Sequence, residues 1–182
     1  MKKLLVVIGS IFALVGCSFN ANMDNTPTKQ VEKYLNDYQT LSSNVLSELD
    51  SIVDQETMFD EDQKVTYRDI LKKHYQDLTY TIKEETVNGD KATVEVEIEV
   101  NDYTKALKDA DSYKTTNADE FNDENNNYDE SKFIDYRLKA LKDNKERVKY
   151  TIYFSLTKIE DDWTLDSLTE TEEQKILGIY EY

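Results

Sequence analysis

This chain of 182 residues contains few of the cysteine and histidine side chains that commonly act as nucleophile, general base or metal ligand. It contains one cysteine, Cys17, and one histidine, His74. A lone histidine, with no cysteine nucleophile and no second histidine for a metal ion, is more often a surface residue or one satisfied within the fold. No serine lies in the Gly-x-Ser-x-Gly turn of the α/β-hydrolases, although a Ser-His-Asp arrangement of distant residues stays open. We therefore predict that the protein is not an enzyme and that it uses no cofactor.

One polar segment has the ligand spacing of a calcium-binding loop at its start. The alternating oxygen ligands of an EF-hand are matched by Asp123, Asn125, Asn127 and Asp129. The match then fails, because Tyr128 replaces the glycine of the sharp turn and Ile134 replaces the bidentate glutamate. We predict a polar loop here and no metal site.

Alternating acidic residues mark one face of a predicted strand. Glu95, Glu97 and Glu99 alternate with valine and isoleucine, which is the pattern of a strand with one face in the core and one in water. We predict a solvated sheet face. The alternative is an acidic lining that binds a cation or a basic peptide.

Tyrosine is the most abundant aromatic residue, with thirteen copies. Because tyrosine has an apolar body and a polar tip, it suits both a ligand pocket and a core. We predict a ligand-binding role for Tyr34, Tyr38, Tyr80 and Tyr150, with Tyr153 as a further candidate for the same pocket. The alternative is that these side chains only fill the core and the strands.

The N-terminus has the pattern of an export signal. Lys2 and Lys3 precede an apolar run over residues 4–15, interrupted only by a glycine and a serine. As a helix this run would be about 18 Å long, too short for the roughly 30 Å of bilayer hydrocarbon. The residues Leu14-Val15-Gly16-Cys17 that follow resemble the lipobox of bacterial lipoproteins. The resemblance implies cleavage between Gly16 and Cys17 and a diacylglyceryl group on the Cys17 sulfur. The alternatives are an ordinary signal peptide that contains a cysteine, or a buried N-terminal strand.

Composition limits the possible partners. Removal of residues 1–16, which include Lys2 and Lys3, leaves 166 residues and changes the formal charge from −16 to −18. An acidic surface argues against nucleic-acid binding. It also argues against electrostatic adhesion to anionic lipid, so the lipid on Cys17 must supply the anchor. We therefore predict a protein held on the extracytoplasmic face of the cell membrane, with a small ligand or an envelope protein as its partner.

Apolar periodicity predicts the elements of the N-terminal half. Residues 17–27 read as the lipidated cysteine and a flexible tether. One long amphipathic helix then begins at Pro27 and carries its apolar stripe on to Ile52. An acidic loop from Asp54 to Gln63 is expected to precede a second, shorter helix containing Val65, Ile70, Leu71 and Tyr75.

A β-hairpin is predicted next, centred on Asn88-Gly89. A two-residue loop at Asn88-Gly89 would place Ile82 opposite Glu95, so that an apolar face met an acidic one. A three-residue loop over residues 87–89 pairs Ile82 with Val94, and it places Gly89 where a left-handed residue is needed for a bulge. We therefore predict the three-residue loop.

The C-terminal half is expected to alternate helices and strands. We predict a helix over Tyr103–Ala110, a mobile polar loop or insertion over Ser112–Asn127, a helix over Asp129–Asn144, strands over Val148–Leu156 and Trp163–Leu168, and a terminal helix over Glu170–Ile179. Together the elements predict an α+β fold, in which the long N-terminal helix covers an antiparallel sheet of about four strands.

The lipobox, the tether, the long helix, the acidic-backed hairpin and the closing segment KIEDDWTLDSL (158–168) are similar to uncharacterised lipoproteins of Gram-positive bacteria with an NTF2-like, cystatin-like domain. The resemblance implies such a domain over residues 28–182, often with a conical pocket between sheet and helix. That fold carries both enzymes and non-enzymes. We expect a binding domain for a small molecule, a peptide or an envelope partner. The alternatives are a structural subunit without a pocket and, more weakly, an envelope hydrolase.

Overall fold

The computed structural model of the chain describes residues 25–181. The predicted signal peptide, its cleavage point and Cys17 lie outside this range. Along the chain the elements are α1 (Pro27–Thr40), α2 (Ser43–Asp54), α3 (Glu61–Gln76), β1 (Thr79–Asn88), β2 (Lys91–Asn101), α4 (Tyr103–Thr116), a 3-10 helix (Ala118–Phe121), α5 (Glu130–Asp143), β3 (Arg147–Ile159), β4 (Asp162–Leu165) and α6 (Glu170–Ile176).

The sheet confirms the predicted fold class. Its four strands are antiparallel and lie in the order β1-β2-β3-β4, so that each strand pairs with its neighbour in sequence. The apolar residues of β2 are fully buried under the helices: Val94, Val96, Ile98 and Val100. They share one core with residues of α1, α3, α5 and α6. The fold is therefore α+β, with one face of the sheet covered by helices.

The prediction of one long N-terminal helix is wrong, because the segment forms α1 and α2 with a break between them. Leu41 adopts a left-handed conformation with φ 53°, and the Ser42 N–H donates to the Asp37 carbonyl to end α1. Ser42 then caps α2 by accepting a hydrogen bond from the Val45 N–H. The apolar spacing continues through the break, since Leu35 and Val45 both reach the core. The apolar periodicity of the sequence alone therefore does not reveal the break between α1 and α2.

The next helix also differs from expectation. Helix α3 has 16 residues and is longer than either α1 or α2, whereas a shorter helix was predicted. It begins inside the predicted acidic loop because Asp60 and Gln63 form a reciprocal capping box. Val65, predicted to be on the apolar face, is exposed.

The predicted three-residue hairpin loop is wrong in detail, although the two apolar faces do meet. The loop has two residues, Gly89 and Asp90, and Asn88 pairs with Lys91. A bulge between Ile82 and Glu84 shifts the register, so that Ile82 pairs with Val96 and not with Val94. The extra residue that brings the two apolar faces together thus lies within strand β1 and not in the turn. Gly89 has the expected left-handed conformation, with φ 60°.

The segment predicted to be a mobile loop, Ser112–Asn127, is folded onto the helices. Helix α4 extends to Thr116, and the 3-10 helix that follows inserts Phe121 into a cluster of rings. Phe121 is only 4% exposed, and its ring centroid lies 5.2 Å from that of Phe133 and 5.4 Å from that of Tyr136. Because the segment is polar in composition, the sequence did not indicate that Phe121 would pack among these rings.

The remaining elements are confirmed, with adjusted ends. The four predicted inward residues of α5 are all buried: Phe133, Ile134, Leu138 and Leu141. Strand β3 follows the predicted alternation. Strand β4 ends at Leu165, before the predicted Leu168, and α6 ends at Ile176, before Ile179. A left-handed Gly178, with φ 68°, follows the end of α6.

Candidate functional site

Two of the four candidate tyrosines lie side by side on α1. Tyr34 and Tyr38 are one helical turn apart, with hydroxyl oxygens 3.0 Å apart and ring centroids 5.2 Å apart. Tyr38 is 4% exposed and meets the Tyr75 ring edge-on at 4.8 Å. Tyr34 meets Phe154 of β3 in the same way at 5.9 Å. The two rings are therefore held between α3 and the sheet, with their polar tips together.

A carboxylate from α2 completes a chain of hydrogen bonds. The Tyr38 hydroxyl donates to Glu48, whose two carboxylate oxygens both lie 3.4 Å away. A phenol has one proton to donate, so the Tyr34 hydroxyl is the donor toward Tyr38. The break at Leu41 makes this contact possible, because it turns α2 back so that Glu48 approaches α1.

Burial sets the protonation of these groups. Loss of hydration raises the pKa of Tyr34 and Tyr38 well above the usual range, and the charge of Glu48 raises both further. Burial also raises the pKa of Glu48, while the hydrogen bond from Tyr38 opposes that rise. The phenols therefore keep their protons at neutral pH and act as hydrogen-bonding groups.

A second carboxylate, Glu173 of α6, lies close enough to act through its charge on Tyr34 and on Tyr75 of α3. That charge raises the pKa of both tyrosines. The Glu173 Oε2 atom is buried and has no hydrogen-bond donor within residues 25–181. Burial raises the pKa of Glu173, and the charge of Glu48 raises it further. We call Tyr34, Tyr38, Glu48 and Glu173 the tyrosine–carboxylate cluster.

The other candidate tyrosines lie elsewhere. The Tyr80 hydroxyl donates to the Asn36 side chain at 3.2 Å. The Tyr150 hydroxyl donates to the Tyr180 carbonyl at 3.2 Å, close to the chain's C-terminus. Tyr153 is 55% exposed, on the face of the sheet opposite the helices. The structure thus brings together Tyr34 and Tyr38, and a ligand-binding role for any of the four stays a prediction.

Sequence reasoning did not identify Glu48 or Glu173. They are two of 38 acidic residues, and neither lies in a motif. Glu48 occupies the flank of an amphipathic helix, and Glu173 lies in the first turn of α6, where an acidic residue is expected for its interaction with the helix dipole. Only the packing of α1, α2 and α6 distinguishes them.

His74 is fully buried beneath the C-terminal segment. Its Nε2 lies 2.8 Å from the Ile176 carbonyl oxygen, so Nε2 carries the proton and donates it. Its Nδ1 is buried and has no partner within the described part of the chain. Burial lowers the pKa of His74 to about 4, although the Ile176 hydrogen bond opposes this. The imidazole is therefore neutral at pH 7 and has no contact with solvent.

In the polar loop that follows the 3-10 helix, the aspartate carboxylates accept hydrogen bonds from nearby backbone N–H groups. Asp123 Oδ1 accepts hydrogen bonds from the N–H groups of Asn125 and Asn127, both at 2.8 Å, which lowers the pKa of Asp123. Asp129 caps α5 by accepting from the Ser131 N–H at 3.0 Å. No group of three or more His, Cys, Asp or Glu side chains within residues 25–181 is arranged to hold a metal ion.

The acidic face of β2 is paired with basic side chains of the neighbouring strands β1 and β3. Glu97 lies within 3.4 Å of Lys83 and 3.3 Å of Lys149, and Arg147 lies 3.1 Å from Glu99. The hydrogen bond from Lys149 is the main reason that the pKa of Glu97 is lowered. The side chains face away from the helices, as predicted for a solvated sheet face.

A groove of about 520 Å³ lies along the contact between α4 and α5. Tyr113 and Tyr136 stack in its wall, with ring centroids 4.9 Å apart. Three charged side chains of its lining are paired with each other, since Lys105 lies 2.9 Å from Asp109 and 3.0 Å from Glu146. Lys105 is therefore neutralised by carboxylates of the groove itself.

No protein-family model matches the chain, and neither curated proteins nor solved structures provide a match. Within residues 25–181, none of the helices is both long enough and apolar enough to cross a membrane.

Proposed function

We propose that the protein is a lipid-anchored binding protein of the cell envelope, with one NTF2-like domain and no catalytic activity. It recognises a small molecule, or a side chain of a peptide or envelope protein, at the tyrosine–carboxylate cluster. The observation that carries this proposal is the Glu173 Oε2 atom, which is buried without a donor on a carboxylate whose charge acts on Tyr34. An unpaired buried oxygen is costly, and a ligand that supplies a donor removes that cost.

The donors within the cluster are already committed. The Tyr34 proton is directed to Tyr38, and the Tyr38 proton to Glu48. The carboxylates of Glu48 and Glu173, which are poorly hydrated, can still accept further hydrogen bonds. A group that carries positive charge and several N–H donors, such as an ammonium or a guanidinium, fits this arrangement.

The anchor is the second part of the proposal. It is supported by the lysines at positions 2 and 3, the short apolar run and the residues Leu14-Val15-Gly16-Cys17. The two acyl chains of one diacylglyceryl group would hold the protein far more firmly than a single chain. The acidic charge of the mature chain contributes nothing to binding an anionic leaflet.

Calorimetric titration of the lipidated protein in detergent tests the site, with alkyl diamines, arginine amide and a lysine-rich peptide as probes. We expect Glu173→Gln to weaken binding by roughly tenfold or more, because a hydrogen bond to a charged group contributes about 1.5–3 kcal/mol. Glu95→Gln removes the same charge on the opposite face of the sheet and is the matched control, expected to leave affinity unchanged. Equal affinities of the two variants, or no binding of any cationic probe, would overturn the assignment of the cluster.

A further inference from the structure

The first described residue of the chain is fastened to one end of the sheet. The Asn25 side-chain oxygen accepts hydrogen bonds from the Trp163 N–H at 3.2 Å and from Gln30 Nε2 at 3.0 Å. Its side-chain nitrogen donates to Asp162 Oδ1. Because Asp162 and Trp163 begin β4, the chain enters the domain beside the β3–β4 turn.

Both hairpin turns lie at this same end, which we call the hairpin end. Lys91 at the start of β2 pairs with Thr157 near the end of β3, and the Lys158 N–H donates to the Asp90 carbonyl at 2.8 Å. The opposite end of the sheet, where Asn101 pairs with Arg147, is where the chain leaves for α4 and returns from α5. We call this the helical end.

Chain length then decides which end is near the lipid. Eight residue steps separate Cys17 from Asn25, and they span at most about 29 Å in any conformation. Strand β2 runs from Lys91 to Asn101, which is about 34 Å at the rise of an antiparallel strand. The tether is therefore shorter than the sheet, and a domain resting on its helical end would place Asn25 out of its reach.

We infer that the hairpin end faces the bilayer, and that the helical end, where Asn144 and Glu146 line the groove between α4 and α5, is presented away from the membrane. This orientation rests on lipid at Cys17, the anchor proposed above.

The charge of the hairpin end keeps this surface from adhering to the membrane. Four carboxylates surround the two turns: Asp90, Glu160, Asp161 and Asp162. The two nearby lysines are engaged, since Lys158 lies 3.2 Å from Asp161 and Lys91 lies 3.9 Å from Asp166. An anionic leaflet repels such a surface over about one Debye length, roughly 8 Å at physiological salt. The domain is therefore held near the lipid by its tether alone.

Fluorescence quenching on vesicles tests the orientation. The full-length lipidated protein would carry one new cysteine, from Asp90→Cys at the hairpin end or from Lys145→Cys beside Glu146 at the helical end. In lipidated protein the Cys17 sulfur is a thioether, so a thiol-reactive dye labels the new position alone. The vesicles contain phosphatidylcholine and phosphatidylglycerol with a nitroxide on the headgroup. We expect several-fold stronger quenching at position 90 than at position 145. We also expect quenching at position 90 to increase with salt.

Two further measurements make the outcomes distinct. A Gly/Ser insertion after Asp24 that doubles the tether should reduce the difference between the two labels. Equal quenching at both positions, or stronger quenching at 145, in protein whose lipid is confirmed by mass spectrometry overturns the orientation and leaves the proposed function standing. An unmodified Cys17 thiol in that mass spectrum overturns the proposed anchor, and the orientation with it.

Discussion

The His74 imidazole donates a hydrogen bond to the Ile176 carbonyl oxygen at 2.8 Å, across 102 positions of sequence. This contact ties α3 to the end of α6. The same C-terminal segment then caps α4, because the Gly178 carbonyl accepts from the N–H groups of Tyr103 and Thr104 at 2.9 and 3.0 Å. One short segment thus links α3, α4 and α6, and through α6 it also positions Glu173 at the cluster.

Acid should weaken this link through His74. Burial is the main cause that lowers the folded-state pKa from 6.5 to about 4; the Arg147 charge also lowers it, while the Ile176 hydrogen bond and Asp77 raise it. The unfolded chain therefore binds the proton more readily. Stability is lost as the pH falls from about 6.5 to 4, by about 3 kcal/mol in all. Urea unfolding across this pH range measures the loss.

The matched control is His74→Gln, which keeps an amide donor and does not titrate. Burial raises the pKa of Glu48 and Glu173, so these groups favour the folded state in acid and oppose the histidine effect in both proteins. We expect the difference in unfolding free energy between the two proteins to change across this pH range in favour of the variant. A constant difference would show that His74 does not titrate at a lower pH in the folded state.

Gly178 should tolerate no side chain. Its φ is 68°, and a Cβ there would lie 2.1 Å from the Asn101 carbonyl oxygen. Gly89 has a similar φ of 60° but has nothing within 4 Å of the same position. We expect Gly89→Ala to cost about 1 kcal/mol, the conformational penalty alone. Gly178→Ala should cost clearly more, because backbone must also move. Paired urea denaturation of the two variants separates strain from collision, and equal losses would contradict the close approach.

The sequence was most informative where one period held without interruption. Alternation in β2 and β3 gave the buried face residue by residue, and the stripe of α5 gave its four inward residues. The sequence was least informative where a helix break or a strand bulge left the spacing of the apolar residues unchanged. The break at Leu41 preserves the apolar spacing, and the bulge near Lys83 corrects the parity that the turn was assumed to correct. Such features depend on tertiary contacts, so periodicity does not locate them.

Phe121 should contribute a large part of the stability of the segment that was predicted to be mobile. Its ring is buried against Phe133 and Tyr136. Truncating a buried phenylalanine to alanine typically costs about 3–5 kcal/mol. We therefore expect Phe121→Ala to lower the unfolding free energy by about 3 kcal/mol and to speed proteolysis within residues 112–127. Tyr128→Ala, at an exposed ring directly after this segment, is the control. Equal protease sensitivity of both variants would indicate that this segment does not dock.

The candidate site was only half visible in the sequence. The sequence predicted Tyr34 and Tyr38 as ligand-binding candidates because tyrosine has an apolar body and a polar tip. Their acceptors were not predicted, since Glu48 joins Tyr38 only through the turn that ends α1. Glu173 approaches from a helix more than a hundred residues further along the chain. In a chain with 38 acidic residues, no local rule distinguishes a carboxylate that faces the core from one that faces water.

Removing the Tyr38 hydroxyl should raise the pKa of Glu48. The hydrogen bond from Tyr38 is what opposes the effect of burial on that carboxylate. Tyr38→Phe keeps the ring between Tyr34 and Tyr75 and deletes the donor, so the charged form of Glu48 loses its partner. NMR titration of the Glu48 side-chain carboxyl carbon measures the shift. Tyr34→Phe removes a hydroxyl that does not touch Glu48, and it should change the Glu48 pKa much less. If both variants moved the pKa equally, or if neither did, the Tyr34–Tyr38–Glu48 chain would not exist in solution, and the acceptor capacity assigned to the cluster would need another origin.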